Sequence, residues 1–379
     1  MDRDCDGDVR YYHIVADRIW CFPTGGRDRR RRTSVRVNLM SGPGELHAIQ
    51  RLARDVERAG FGGITFTEAG RTAYLSVAAA ALASERLEFS TGIAVAFPRS
   101  PTITAATAWE LQDASRGRFR LGIGTQVRAH VTRRYGAEFD PPGPRMRDYV
   151  AALRALFRAF QGEAPLDHRG PYYELTLLNP MWSPGPIEYP APAIDVAAVG
   201  PYMLRMAGEL CDGIHIHPLH SMKYLTDIVE PAVAEGAKRA GRDRAEVELL
   251  VPVLTVVGDN EEERAASRAL CRQQVAFYGS TPNYSLQFDL LGFEGTTARL
   301  RERQKAGDIP GMSGVISDEM LQYYTVEARW DDLADRLVER YRGRAGRLIM
   351  YSAGMDFARE PASLDRWGAV ARAVAQGSA

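Results

Sequence analysis

From Val35 onward, short runs of β-branched and apolar residues alternate with longer stretches whose apolar positions recur every three or four residues. Strand-length runs punctuated by helix-period segments are the signature of βα units and a parallel sheet. The first unit is the clearest. Val35 to Leu39 reads as a strand and Ser41-Gly42-Pro43-Gly44 as a turn. Glu45 to Ala59 reads as a helix with Leu46, Ile49, Leu52, Ala53 and Val56 on one face, closed by Gly60. Further strands are predicted over Gly63 to Phe66, Glu88 to Ala94, Phe119 to Gly122, Ala193 to Val196, Gly213 to Ile216, Val247 to Val257 and Arg347 to Tyr351.

Eight strands separated by helices predict an α/β fold, a closed (β/α)8 TIM-type barrel, in preference to an open doubly wound sheet. The spacing stretches twice, over about 123–192 and about 258–346, beyond what a simple crossover needs, and such insertions commonly form binding lids. The first carries a Pro/Gly segment at Pro141 to Pro144, a helix from Arg145 to Gln161 and a hairpin-like aromatic stretch through Tyr172 and Tyr173. The second carries a helix from Glu261 to Tyr278 and then, after Pro282, a long stretch read as irregular. Residues 35–379 are therefore expected to form a single barrel domain with two insertions. Residues 1–34 lack apolar periodicity and contain Arg27-Asp28-Arg29-Arg30-Arg31-Arg32, so they read as a flexible arginine-rich extension. They are not read as a twin-arginine signal, because no apolar segment follows the arginines.

Charge and composition narrow the partners. Lys+Arg and Asp+Glu number 48 each, and no apolar run approaches the roughly 20 residues of a membrane span. Zero net charge argues against nucleic acid and membrane surfaces and leaves small molecules. The four cysteines, Cys5, Cys21, Cys211 and Cys271, are dispersed and form no CxxC pair. That points to the reducing cytoplasm and to no zinc knuckle or disulfide framework.

In such barrels chemistry sits where strands end, so the residues just past each strand are the candidates. Glu68, after the second strand, is either a carboxylate that orients a ligand or moves a proton, or a solvated loop residue. Gly92 interrupts a β-branched run in the third, which marks a bulge, a close ligand approach or only a packing accommodation. The fourth ends Gly122-Ile123-Gly124-Thr125-Gln126 and continues to His130, a proton donor, a hydrogen-bond partner to a ring or an ordinary loop residue. Its GxG lacks the third glycine and immediate helix of a dinucleotide loop. After the fifth, Val199-Gly200-Pro201-Tyr202 opens a helix whose N-terminus is a natural anion site, although Gly-Pro is also common helix punctuation. The sixth ends His215-Ile216-His217, period-two histidines as in zinc hydrolases. A complete ligand set is not evident, so no metal is assigned.

These segments carry a resemblance. Ala59-Gly60-Phe61 through Thr67-Glu68, the strand with Thr91-Gly92-Ile93, Arg116 to Gly124, Ala197 to Ala207, Asp212-Gly213 and Phe277 to Pro282 together resemble the luciferase-like monooxygenase superfamily. Within it they are most similar to the oxidoreductases that use coenzyme F420, a deazaflavin. The resemblance spans roughly Val35 to Ala379 and implies a hydride-transferring oxidoreductase acting on a small organic substrate. FMN is the alternative cofactor, with a monooxygenase reaction. It is also compatible with a homodimer, since barrels of this kind often pair through helices.

Residue by residue, Gly92-Ile93 matches the family's non-proline cis peptide behind the cofactor ring, and Glu68 falls where many relatives have an aspartate. Thr125, Gln126 and His130 match the ring-contacting segment, and Val199, Gly200, Pro201 and Tyr202 the phosphate turn. Glu68 and His130 are the acid-base candidates, with Tyr278 a further one. Two departures stand out. Ala69 and Val127 occupy positions where several relatives carry a histidine and an acidic residue for proton transfer, which argues against sugar-phosphate dehydrogenation. A metal-dependent hydrolase built on His215 and His217, and a barrel that only carries the cofactor, are the remaining alternatives.

Overall fold

The computed structural model describes residues 35–378. The arginine-rich run and Cys5 and Cys21 lie outside the described residues. Eight parallel strands close on themselves: β1 Arg36–Ser41, β2 Gly63–Phe66, β3 Glu88–Thr91, β4 Phe119–Gly124, β5 Ala193–Ala197, β6 Gly213–His215, β7 Glu248–Val257 and β8 Arg347–Met350. Closure is explicit in the register, since Val37 of β1 pairs with Leu348 of β8 on one side and Leu39 with Ile64 of β2 on the other. This is the (β/α)8 barrel that the alternation predicts.

The first helix shows how local chemistry sets the boundaries. Leu46–Ala59 (α1) starts one residue later than its apolar pattern suggests, because the Glu45 carboxylate caps it by accepting from the His47 and Ala48 N–H groups. Gly60 ends it at φ 94°, in the left-handed region. Ala73–Ala81 (α2) and Pro101–Ala114 (α3) follow β2 and β3. In the first insertion, Arg128–Arg133 (α4) precedes Pro142–Phe160 (α5), which begins three residues earlier than expected. Pro142 is accommodated in its first turn, where a missing N–H costs nothing.

The hairpin is real but minimal, with His168–Arg169 paired to Glu174–Leu175. It hangs on Asp148 of α5, whose buried carboxylate accepts from the backbone N–H of Tyr172 at 2.7 Å and of Tyr173 at 2.9 Å, and meets His168 Nε2 at 2.8 Å. An Asp148→Ala protein is therefore expected to keep its barrel while amide exchange at Tyr172 and Tyr173 accelerates by about 10- to 100-fold, the loss of charge-assisted bonds worth about 1.5–3 kcal/mol. Hydrogen-exchange mass spectrometry over 165–178 checks this.

The second insertion corrects the sequence reading. The stretch after Pro282 is not irregular: it folds as Thr296–Lys305, Ile309–Val315, Asp318–Tyr324, a strand Thr325–Ala328 and Leu333–Tyr341. Short helices around Gly292, Gly295 and Gly307 break the periodicity that a longer helix would show. They bury Phe288, Leu300, Met312, Ile316 and Leu321 in a satellite core against Val275. The second half of β7 reaches beyond the barrel to pair with this insertion, Leu254 opposite Thr325.

The barrel interior is polar where apolar layers are usual. Near the strand starts, Arg120 holds Asp195 (Nε–Oδ2 2.8 Å) and Glu248 (Nη1–Oε2 3.0 Å). Arg347, fully buried, holds Glu88 at 2.6 Å and Asn38 at 3.1 Å, and Arg36 also pairs with Glu88. One layer higher, Asn38, Thr65 and Ser90 form a chain through bonds of 3.2 and 2.8 Å. The same layer contains His215, whose buried Nε2 has no hydrogen-bond partner. A Cβ added at Gly122 would lie 2.5 Å from that nitrogen, so glycine is what lets the imidazole occupy the barrel centre.

Burial pushes the His215 and His220 imidazoles down to about 4. Below the usual 6.5 the unfolded chain binds their protons and the folded one does not, so stability falls as pH drops from about 6.5 towards 4. Each histidine contributes a slope of about 1.4 kcal/mol per pH unit in that window. Urea unfolding from pH 7 to 5 should show the decline, and a His220→Asn variant a shallower one.

Candidate functional site

At the carboxyl ends of the strands the β3–β4 pairing gains a residue. Ser90 pairs with Arg120 but Ala94 with Ile123, so four steps on one strand face three on the other. That is a bulge. It falls at Gly92-Ile93, whose peptide is cis, as the resemblance implies. Thr91 stitches the gap: its hydroxyl donates to the Gly122 carbonyl at 2.6 Å and accepts from the Gly122 N–H at 2.9 Å. A Cβ on Gly92 would meet Thr65 Cγ2 at 2.3 Å, so only glycine fits against β2 here.

Glu68 is not a solvated loop residue. Its side chain is almost fully buried and accepts from the Val95 N–H at 2.7 Å and from Arg99 Nη1 at 3.0 Å, with Arg99 Nη2 on its other oxygen. Arg99 also donates to the Val95 carbonyl at 2.9 Å and lies over the Tyr74 ring. The Glu68–Arg99 pair thus braces the strand that leaves the bulge. Arg99 escaped the sequence reading because nothing local links residues 31 apart.

Past β4, Thr125 is half-buried and Gln126 exposed, in the left-handed region at φ 59° with its own Oε1 accepting from Val127 N–H at 2.9 Å. His130 is exposed on α4. Of the arginines around it, Arg128 pairs with Asp140, while Arg133 and Arg134 are exposed and Arg134 lies over Tyr135.

Past β5, Gly200 is the N-cap of Pro201–Leu210 (α6), and no side chain caps that end. The first intrahelical bond is Leu204 N–H to the Gly200 carbonyl, which leaves the N–H groups of Tyr202 and Met203 pointing out of the first turn. A Cβ on Gly200 would have nothing within 4 Å, so the approach is open. The turn is held from behind by the Tyr224 hydroxyl, which donates to the Val199 carbonyl at 2.6 Å. Tyr202 leans on the start of α5, where a Cβ on Gly143 would come within 2.7 Å of its ring. Open N–H groups at a helix N-terminus suit a phosphate, so the residues present fit a phosphate-bearing cofactor.

The two period-two histidines diverge. His215 stays inside the barrel, and His217 lies at its mouth between Tyr278 (ring centroids 4.8 Å apart) and Tyr284 (3.9 Å). Among the described residues, no group of three His, Cys, Asp or Glu side chains comes together to hold a metal ion. No helix of the described residues is long and apolar enough to cross a membrane. Tyr278, the further acid-base candidate, joins the mouth and bonds the Tyr351 hydroxyl at 2.6 Å.

The luciferase-like monooxygenase family model matches residues 30–347. The chain belongs to this family. An uncharacterized protein of Mycobacterium tuberculosis is 39% identical to this luciferase-like chain over 307 residues, 81% of the chain and 90% of that protein. Among solved structures, the coenzyme F420 dependent tetrahydromethanopterin reductase from Methanopyrus kandleri superposes with a TM-score of 0.70 at 19% identity, covering 88% of this chain and 97% of that one. The oxygenating constituent of 3,6-diketocamphane monooxygenase from Pseudomonas putida, in complex with FMN, gives 0.59 at 17%, covering 90% and 97%. Both likenesses establish the shared barrel. Of these two neighbours, the first is named as coenzyme F420 dependent and the second is in complex with FMN.

Proposed function

We propose that the chain is an F420-dependent oxidoreductase that transfers a hydride between the deazaflavin and a small organic substrate at the barrel mouth. The observation that carries the reading is the open, uncapped N-terminus of α6 at Gly200, set on the same rim as the Gly92-Ile93 bulge. The Tyr202 and Met203 N–H groups would hold the phosphate, with Val199 fixed by Tyr224 and Pro201 setting the first helical turn. Gly92 and Ile93 would back the ring, and Thr125 and Gln126 would border it. Arg133 and Arg134, exposed beside this rim, suit an acidic glutamyl tail.

Bound there, the deazaflavin supplies a ring carbon that gives or takes a hydride, and the protein supplies position and protons. Glu68 has its oxygens committed to Arg99 and Val95, so its part is to hold the bulge in register. Proton exchange falls to a group with a free face, and His130 on α4 has one.

An FMN-dependent monooxygenase would use the same phosphate seat, and the FMN-bound neighbour keeps that reading in view. Titrating the purified protein with F420 and with FMN, and following oxygen consumption with each reduced cofactor, separates the two. The expected result is F420 binding without oxygen uptake. FMN binding with oxygen uptake would overturn the proposal.

A further inference from the structure

His217 is the mouth residue that neither the phosphate seat nor the bulge uses. It stands two residues past His215, the last residue of β6, on the loop that leaves the strand. His215 Cε1 in turn lies 3.5 Å from where a Gly92 Cβ would be, so the loop that carries His217 leaves the strand end that faces the bulge. Its Nδ1 accepts the Leu219 N–H at 3.1 Å, and the His217 carbonyl meets His220 Nδ1 at 2.9 Å. With Nδ1 occupied as an acceptor, the neutral ring carries its proton on Nε2. Burial pushes the imidazole down to about 3, which keeps it neutral through the physiological range.

That Nε2–H has no hydrogen-bond partner among the described residues, and the side chain keeps part of its surface open. The ring cannot turn away, because Tyr284 lies against its face and Tyr278 meets it edge-on. Tyr278 is itself fixed through Tyr351, whose hydroxyl reaches Gln274 Oε1 at 3.4 Å. A fixed neutral donor between two aromatic walls is an arrangement for one acceptor atom on an otherwise apolar molecule.

We propose that His217 Nε2–H is the donor that orients the substrate, and that the substrate presents a carbonyl oxygen to it, with its apolar body against Tyr278 and Tyr284. The inference rests on the oxidoreductase reading for the chemistry that follows, but the contact itself is a property of the protein. A fixed donor aimed at a carbonyl oxygen stabilises the charge that gathers there when the carbon receives a hydride. Two electrons would pass with the hydride from the reduced deazaflavin to the carbonyl carbon, the C=O π pair would move onto oxygen, and the proton that completes the alcohol would come from water through His130.

The test uses the full chain labelled with 15N-histidine, alone and saturated with F420, titrated with acetophenone and with ethylbenzene, which lacks the acceptor. Acetophenone should shift the His217 Nε2 resonance and bind about 10-fold more tightly than ethylbenzene, one hydrogen bond's worth. In His217→Phe that preference should vanish while F420 affinity is unchanged, and His217→Gln, which keeps an N–H donor, should restore part of it. An unmoved Nε2 resonance, or a preference that survives in His217→Phe, overturns the assignment. If F420 fails to bind the parent protein, the cofactor reading fails, and the titration of the protein alone still decides the role of His217.

Discussion

A Gly200→Asp protein is expected to fold as its parent does and to bind the deazaflavin at least about 100-fold more weakly. The position is the N-cap of α6, where aspartate is among the best residues, and a Cβ there meets nothing within 4 Å. The carboxylate would accept from the N–H groups that now point out of the helix, so helix stability is kept or slightly raised. A phosphate arriving at the same groups would find them satisfied and a negative charge in place. Losing two charge-assisted bonds of about 1.5 kcal/mol each amounts to roughly two orders of magnitude in affinity. Gly200→Asn separates the causes, since it caps without charge and should lose less. Fluorescence titration with F420, alongside a thermal melt, reads both halves, and unchanged affinity in Gly200→Asp would remove the phosphate assignment.

The largest stability effect should come from Arg120→Ala, about 3–5 kcal/mol. Arg120 is 8% exposed and is shared by Asp195 and Glu248, themselves buried against it. Removing a partner from a buried ion cluster leaves its remaining charges desolvated with less to offset them, Asp195 above all, which costs more than the cluster contributes as a whole. For a protein whose total stability lies near 5–15 kcal/mol, that is a large share. Urea unfolding checks it. A companion Asp195→Ala and the double variant complete the cycle, in which the double should cost clearly less than the two singles together. A loss below about 1 kcal/mol in Arg120→Ala would mean that the interior is not held by this cluster.

How far the sequence reaches depends on what each feature is made of. Strands and their order are legible because they rest on local periodicity. The whole of Gly63–Phe66 was predicted, and the others shift by a few residues where capping or pairing decides the end. Tyr351 joins the helix after β8, and Ser41 prolongs β1 because Phe66 lies opposite it. The bulge is legible from one glycine in a β-branched run, since that residue type answers to a close backbone approach. The N-terminus of α6 is legible from Gly-Pro. What is not legible is whatever joins distant residues. Arg99 becomes meaningful only when the barrel sets it against Glu68, and the interior ions Arg120, Asp195, Glu248 and Arg347 read as ordinary charges until eight strand starts converge. Arg120 and Asp195 did leave a trace, each a charge inside an apolar strand run. His215 and His217 look alike in sequence and part only because His215 closes β6 inside the barrel while His217 lies past the strand end, against Tyr278 and Tyr284.

The most direct test of the central claim is a crystal structure of the protein with F420 bound. The account predicts a phosphate oxygen within hydrogen-bonding distance of the Tyr202 or Met203 N–H and the ring lying against Gly92-Ile93. A cofactor seated elsewhere, such as the surface groove lined by Arg268, Arg336 and Arg340, with the α6 N-terminus facing only water, would contradict it.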